Sequence, residues 1–381
     1  MRAFVFTDEA LARHAGRFVW LEINTDVPGN ASFQEKYPVE NWPTLFIIDP
    51  REEKALVRFA GSATVPQLEK LFEDGERAYR GVAQGPEALL ARGDALYGEG
   101  KAAEAADVLA QALAEAPADW SRRGRALEST LTAQYGASRH EACARTALAE
   151  LPKVPHSASW ANAAALGLTC AVLVPEGTQD AQTLRESLEA KAREALSPDI
   201  VMPGDDRSGV YDVLVQARMK AKDEAGAKAL AGQWLTFLEG EAARAPTPEQ
   251  RTVFDSHRIG AALLLGDLMR VVPAIEQSEK DLPDDYNPPA RLANLYRRLG
   301  RLDEALAAST RALSKVQGSR RLRVLSERAD IHLARGEKAE AVRTLEEAIA
   351  YAKTLSGAQA SPRMVEALEK KLAQQRESRS P

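Results

Sequence analysis

Apolar positions along this chain follow two rhythms, and the change falls near residue 80. Before it they come in short blocks. Residues 17–24, with Phe18, Val19, Trp20, Leu21 and Ile23, form a run rich in β formers and short enough for a buried strand. Residues 30–37 read as a short helix with Asn30 at its N-cap. Thr44 to Ile48 is a second apolar strand, stopped by Asp49 and Pro50, and residues 55–60 are a third with partial alternation. The link Pro50-Arg51-Glu52-Glu53 suits a hairpin turn. Thr64 and Pro66 then open a helix carrying Leu68, Leu71 and Phe72. This order predicts an α/β unit over residues 1–80 whose central strands are fully buried.

After Arg80 to Gly85, which reads as a linker, the spacing is helical to residue 380 and no strand is convincing. Helix pairs alternate with short turns. In residues 86–117, Gly93, Leu96, Gly100, Ala105, Ala112 and Pro117 fall at unit positions 8, 11, 15, 20, 27 and 32. In residues 286–317, Ala293, Tyr296, Gly300, Ala305 and Ala312 take the first five of those positions, and Ala329, His332, Gly336, Ala341 and Ala348 repeat them. This pattern resembles the tetratricopeptide repeat, whose period is about 34 residues. Small residues at 8, 20 and 27 let two antiparallel helices approach, and the glycine at 15 permits the turn between them. Between these units, residues 120–281 read as four divergent hairpins separated by Pro- and Gly-bearing links. Ser361 and Pro362 precede a last amphipathic helix suited to capping the stack. The expected architecture is an α/β fragment over 1–80 followed by an α-helical solenoid over 86–380.

The first eighty residues resemble the second half of a thioredoxin fold. The sharpest element is Val39-Glu40-Asn41-Trp42-Pro43-Thr44-Leu45; the strand over 18–26, the helix end at Lys36 and Tyr37 and the turn at Asp49 and Pro50 also fit. In that family the proline before this strand is cis and faces the active site, so the resemblance makes Pro43 a structural cis-proline candidate. The family's Cys-x-x-Cys segment is missing, because the first cysteine is Cys143. Met1 to Phe4 looks like the residues just after that segment. The strand that carries the dithiol lies, in the family, between those matching 18–24 and 44–48. Its absence leaves backbone groups without partners or forces two strands to re-pair. Two explanations remain open: a native chain with the dithiol upstream of Met1, or a degenerate domain whose gap another element fills.

Composition narrows the function classes. Of 381 residues, 45% are hydrophobic, enough to build cores and exclude a disordered chain, and a net charge of −5 speaks against a nucleic-acid binder. The two cysteines exclude a disulfide-built scaffold; both fall in helical segments and read as small buried hydrophobes rather than a redox pair. Five scattered histidines form no ligand pair, so no metal and no cofactor is expected. Gly98 to Ala103 imitates a nucleotide loop but lacks a preceding strand and a Lys-Ser/Thr ending. No catalytic residue stands out. No span or leader is visible, which gives a cytoplasmic expectation for the chain as written. One basic cluster is notable. Arg291, Asn294, Arg297 and Arg298 sit at positions 6, 9, 12 and 13 of one unit, and Arg320, Arg321 and Arg323 open the next. Related arrays use such residues to clamp a peptide carboxylate. The expected partner is therefore a protein or acidic peptide in the repeat groove, with no nucleic acid and no membrane. The plainer alternative is a solvated face balanced by neighbouring acids. A thiol–disulfide oxidoreductase with its dithiol upstream of Met1 is the competing class.

Overall fold

The computed structural model describes residues 5–39, 42–356, 359–360 and 362–377. It divides into two compact units, Met1–Phe18 with Tyr37–Leu238, and Val19–Lys36 with Glu239–Pro381.

The first unit opens with a 3-10 turn, Glu9–His14, and an antiparallel pair, β1 (Thr44–Ile48) and β2 (Ala55–Ala60). The helix Ala31–Lys36, α1, precedes them in sequence and belongs to the second unit. Helix α2, Val65–Tyr79, starts where Thr64 predicts. The Thr64 hydroxyl accepts from the Gln67 N–H, and the Gln67 side chain bonds back to the Thr64 amide. This reciprocal pairing satisfies amides that a helix start leaves orphaned. Val57, Phe59, Leu68, Leu71 and Phe72 close a small core with Val5 and Leu11.

The strand expected over 17–24 does not form. That stretch is irregular, with Val19 87% and Leu21 75% exposed. A strand exists only where a neighbour takes its backbone groups. Among the described residues the sheet has two strands, β1 and β2, which pair with each other. The expectation of fully buried central strands fails for the same reason, since β1 is partly exposed along its whole length. Glu40 and Asn41 of the motif around Pro43 lie outside the described residues, as do Met1 to Phe4 and Ser361.

From residue 86 the chain is helical. The hairpins of the first unit are α3 (Pro86–Gly98) with α4 (Ala102–Glu115), α5 (Arg123–Gly136) with α6 (His140–Glu150), α7 (Ala158–Leu173) with α8 (Ala181–Glu194), and α9 (Gly204–Lys220) with α10 (Glu224–Arg244), whose last turn passes into the second unit. The second unit continues with α11 (Pro248–Thr252), α12 (Asp255–Leu265) and α13 (Val272–Asp281). Then come α14 (Asn287–Arg298) with α15 (Leu302–Leu313), α16 (Ser319–Ala334) with α17 (Lys338–Ala352), and α18 (Pro362–Glu377). The turn glycines at position 15 work as expected: Gly100, Gly300 and Gly336 have φ of 78°, 73° and 76°, which a side chain would strain. Helix α18 buries Leu368 and Leu372 against α16 and α17, ending the stack. Burying two such leucines stabilises by about 1.5–3 kcal/mol each.

The cysteines depart from the sequence reading. Cys143 on α6 and Cys170 on α7 are fully buried and joined as a disulfide, with Cα atoms 6.0 Å apart. Their 27-residue separation hides this, because only the packing of α6 on α7 brings them together. The unfolded, unreduced protein should therefore show no thiol to a thiol-specific reagent. Replacing both residues, Cys143→Ala with Cys170→Ala, should lower the urea-unfolding free energy by about 3 kcal/mol. Two titratable thiols in the unreduced chain would contradict this pairing.

Candidate functional site

The first helices of the hairpins, α3, α5, α7 and α9, pack in succession in the first unit. Each contributes polar groups to one face: Asp94 from α3, Arg125 and Glu128 from α5, Ser159 and Asn162 from α7, Asp205 and Asp206 from α9. This face is covered by the chain's own amino-terminal elements. Strand β2 and helix α2 lie on α3. Ser62 donates to Asp205 at 2.9 Å, Gln67 to Ser159 at 3.0 Å, and Arg122 reaches Asp74 and Glu73 at 2.9 and 2.8 Å.

Burial shapes the electrostatics here. Asp94, 2% exposed, is bound by Arg125, yet desolvation still lifts its carboxyl to about 6. Burial likewise lifts Glu128 to about 6, against hydrogen bonds from Ser159 and Asn162. Asp206 goes furthest, to about 8, through burial and then repulsion from Asp205. Asn162 Nδ2 bridges Glu128 and Asp206 at 3.1 and 3.4 Å. Arg58 on β2 is 4% exposed, with its guanidinium 4.0 Å over the Tyr97 ring, and its Nε and Nη1 have no hydrogen-bond partner among the described residues. It faces a small cavity shared with Asp94 and Glu128. Sequence reasoning passed over these acids among many solvated carboxylates. One signal marked Asp94: it follows Gly93 at unit position 9, the place Asn294 holds in its own unit.

The basic cluster lies in the second unit, where α14 packs on α16. Arg297 and Asn294 both bond Glu327 of α16, the latter at 2.9 Å. Arg298 is exposed and donates to Asn294 at 2.9 Å. Arg291 approaches Asp255 of α12 at 3.5 Å, and burial draws its guanidinium below the usual value. Asp255 is fully buried and also bound by Arg258. Arg323 is exposed on α16. Acids of adjacent helices thus neutralise Arg291 and Arg297, while Arg298 and Arg323 face solvent.

Pro43 stands at the head of β1, its peptide bond with Trp42 cis, and its carbonyl accepts from the Gly61 amide at 2.8 Å. No group of three or more His, Cys, Asp or Glu among the described residues is placed to hold a metal ion. No helix among them is long and apolar enough to cross a membrane.

A family model described as tetratricopeptide repeat matches residues 286–354, the stretch built from α14 to α17. Among curated proteins none matches the chain. Among solved structures, a tetratricopeptide repeat protein from Parabacteroides merdae ATCC 43184 is similar at 14% identity and a TM-score of 0.48, over 76% of this chain and 99% of that one. The assembly chaperone of RpL4, Acl4, is similar at 16% identity and a TM-score of 0.37, over 78% and 100%. The TPR2AB domain of yeast Sti1, solved with pHSP90, reaches 15% identity and a TM-score of 0.29, over 76% and 98%.

The raised carboxyls make stability pH-dependent with a definite sign. Asp206 holds its proton in the folded state up to about pH 8, whereas the unfolded chain releases it near 3.8. Its contribution is whole below pH 4 and lost as pH rises toward 8. Asp206→Asn should melt like the wild type at about pH 3.5 and roughly 5 °C higher at pH 8. Parallel melting curves for the two proteins across that range would refute the assignment.

Proposed function

We propose that this chain is a protein-binding scaffold whose tetratricopeptide-like repeats present a docking face to a protein or acidic peptide. The division expected from the sequence, an α/β module over 1–80 and a helical repeat region over 86–380, belongs to this reading. The observation that carries it is the repeat match over 286–354, together with two exposed arginines, Arg298 and Arg323, on successive first helices α14 and α16. Guanidinium groups bind carboxylates through paired, charge-assisted hydrogen bonds, and an exposed pair keeps that capacity for a partner. Arg291, Asn294 and Arg297 flank this pair with their own charges and donors engaged by Asp255 and Glu327.

A second reading is favoured by the antiparallel β1–β2 pair followed directly by α2, the element order of a thioredoxin fold's closing half. It makes the chain part of a thiol–disulfide oxidoreductase, with the attacking dithiol encoded upstream of Met1 and the repeats recruiting substrates. Insulin reduction separates the two readings. A product translated from the upstream coding sequence should turn over insulin under the second, whereas no product should do so under the first.

The scaffold reading is tested on an array of acidic peptides ending in a free carboxylate. The full chain should retain a subset of them, and Arg298→Glu with Arg323→Glu should weaken that retention at least tenfold. Equal retention by the doubly reversed protein would remove the docking face around Arg298 and Arg323 from consideration.

A further inference from the structure

Residues 24–27 occupy a notch in the second unit built from three separate places in the sequence. The Asp26 carboxylate meets Arg320 Nε at 2.7 Å and Ser319 Oγ at 3.4 Å, both at the start of α16. Arg320 is itself oriented by Tyr286, whose hydroxyl accepts from Nη1 at 2.7 Å. Arg323 adds a second positive charge acting on the same carboxylate. On the other side Gln359, 3% exposed, donates from Nε2 to the carbonyls of Thr25 and Val27 at 3.2 and 2.9 Å. Its Oε1 has no hydrogen-bond partner among the described residues. Gly318 forms the floor. A Cβ there would collide with the Asp26 carbonyl oxygen, so only glycine lets the segment approach this closely. Gly318 also has φ of 63° and is fixed from behind by the Tyr351 hydroxyl on its amide, at 2.9 Å.

The occupant has a defined shape. Asn24 Oδ1 accepts from the Asp26 amide at 2.9 Å, and the Asn24 carbonyl accepts from the Val27 amide and from Asn30 Nδ2. The result is an Asx turn that presents one carboxylate flanked by two carbonyls. The segment is held mainly by polar contacts: within residues 19–36 only Thr25 is buried, while Val19 and Leu21 are largely exposed. A segment fastened by an ion pair and carbonyl bonds, with so little apolar burial, opens locally at small free-energy cost.

We propose that this notch is a receptor for an acidic Asx-turn peptide of a partner protein, filled in the free chain by its own Asn24 to Val27 as an exchangeable self-ligand. Arg320 takes the carboxylate, Gln359 reads the flanking carbonyls, and Gly318 admits the backbone. The tethered segment competes at high effective concentration, so the partner's peptide gains the site when its own turn is better organised or multiply anchored. The inference extends the docking reading but rests on Arg320 rather than Arg298. Arg323 is common to both, so single changes tell them apart. Arg298→Glu alone should leave binding of the 22–30 peptide to the Asp26→Ala chain unchanged, and Arg320→Ala alone should leave retention on the acidic array unchanged.

The probe is a fluorescein-labelled peptide with the sequence of residues 22–30, titrated into the full chain and followed by anisotropy. Asp26→Ala should empty the notch and raise affinity for the peptide at least tenfold over wild type. Adding Arg320→Ala should return it to the wild-type level, and a peptide with Asn in place of its Asp should not bind. Hydrogen exchange on the unmodified chain gives a second readout: saturating peptide should strip protection from residues 24–30 while leaving α16 unchanged. Equal binding by wild type and Asp26→Ala, indifference to Arg320→Ala, or unchanged protection at saturating peptide would each overturn the proposal.

Discussion

Two antiparallel helices cover one another along a single seam and leave their remaining apolar faces to be covered by something else. That constraint organises this molecule. Each hairpin leans on the next, so small residues recur where helices meet and glycine recurs where they turn. In the first unit the face made by α3, α5, α7 and α9 is met by β2 and α2. In the second, the start of α16 and the residue Gln359 are met by the stretch around Asp26. Amino-terminal segments thus satisfy repeat surfaces in both units, each by its own contacts.

The contacts differ in kind. In the first unit, apolar burial around Val57, Phe59, Leu68 and Phe72 accompanies the polar bonds, and carboxylates are trapped where water is scarce. Burial there overrides attraction: Asp94 stays raised despite Arg125, because removing a carboxylate from water costs more than one guanidinium returns. In the second unit, Asp26 keeps partial access to water and is bound by Arg320 and Ser319, while Gln359 donates to the carbonyls of Thr25 and Val27 on either side of it. One arrangement is built to stay shut, the other to be reversible.

Much of this was legible in the residues. The tetratricopeptide spacing located the hairpins α3/α4, α14/α15 and α16/α17, since a period of small and apolar positions encodes helix contact directly. The capping box at Thr64 and the cap helix α18 follow from local rules as well. What escaped depends on partners distant in sequence. The block from Phe18 to Asn24 has strand composition yet forms no strand among the described residues, and propensity alone does not make one. Cys143 and Cys170 lie on different hairpins, and their meeting is a product of tertiary packing. The basic cluster was visible as charge, but its neutralisation by Glu327 and Asp255 needed the helices placed side by side. Arg320 was seen as one more cation, and its engagement with Asp26 spans nearly the whole chain.

The bond between Cys143 and Cys170 has a further consequence. It ties α6, the second helix of one hairpin, to α7, the first of the next. Repeat arrays come apart piecemeal, because each module answers only to its neighbours and fraying advances one module at a time. A covalent rivet between adjacent modules interrupts that advance. Fraying that reaches one of these two hairpins leaves it tethered to its neighbour by a closed loop, so the loosened state is restricted and that step costs more than the others.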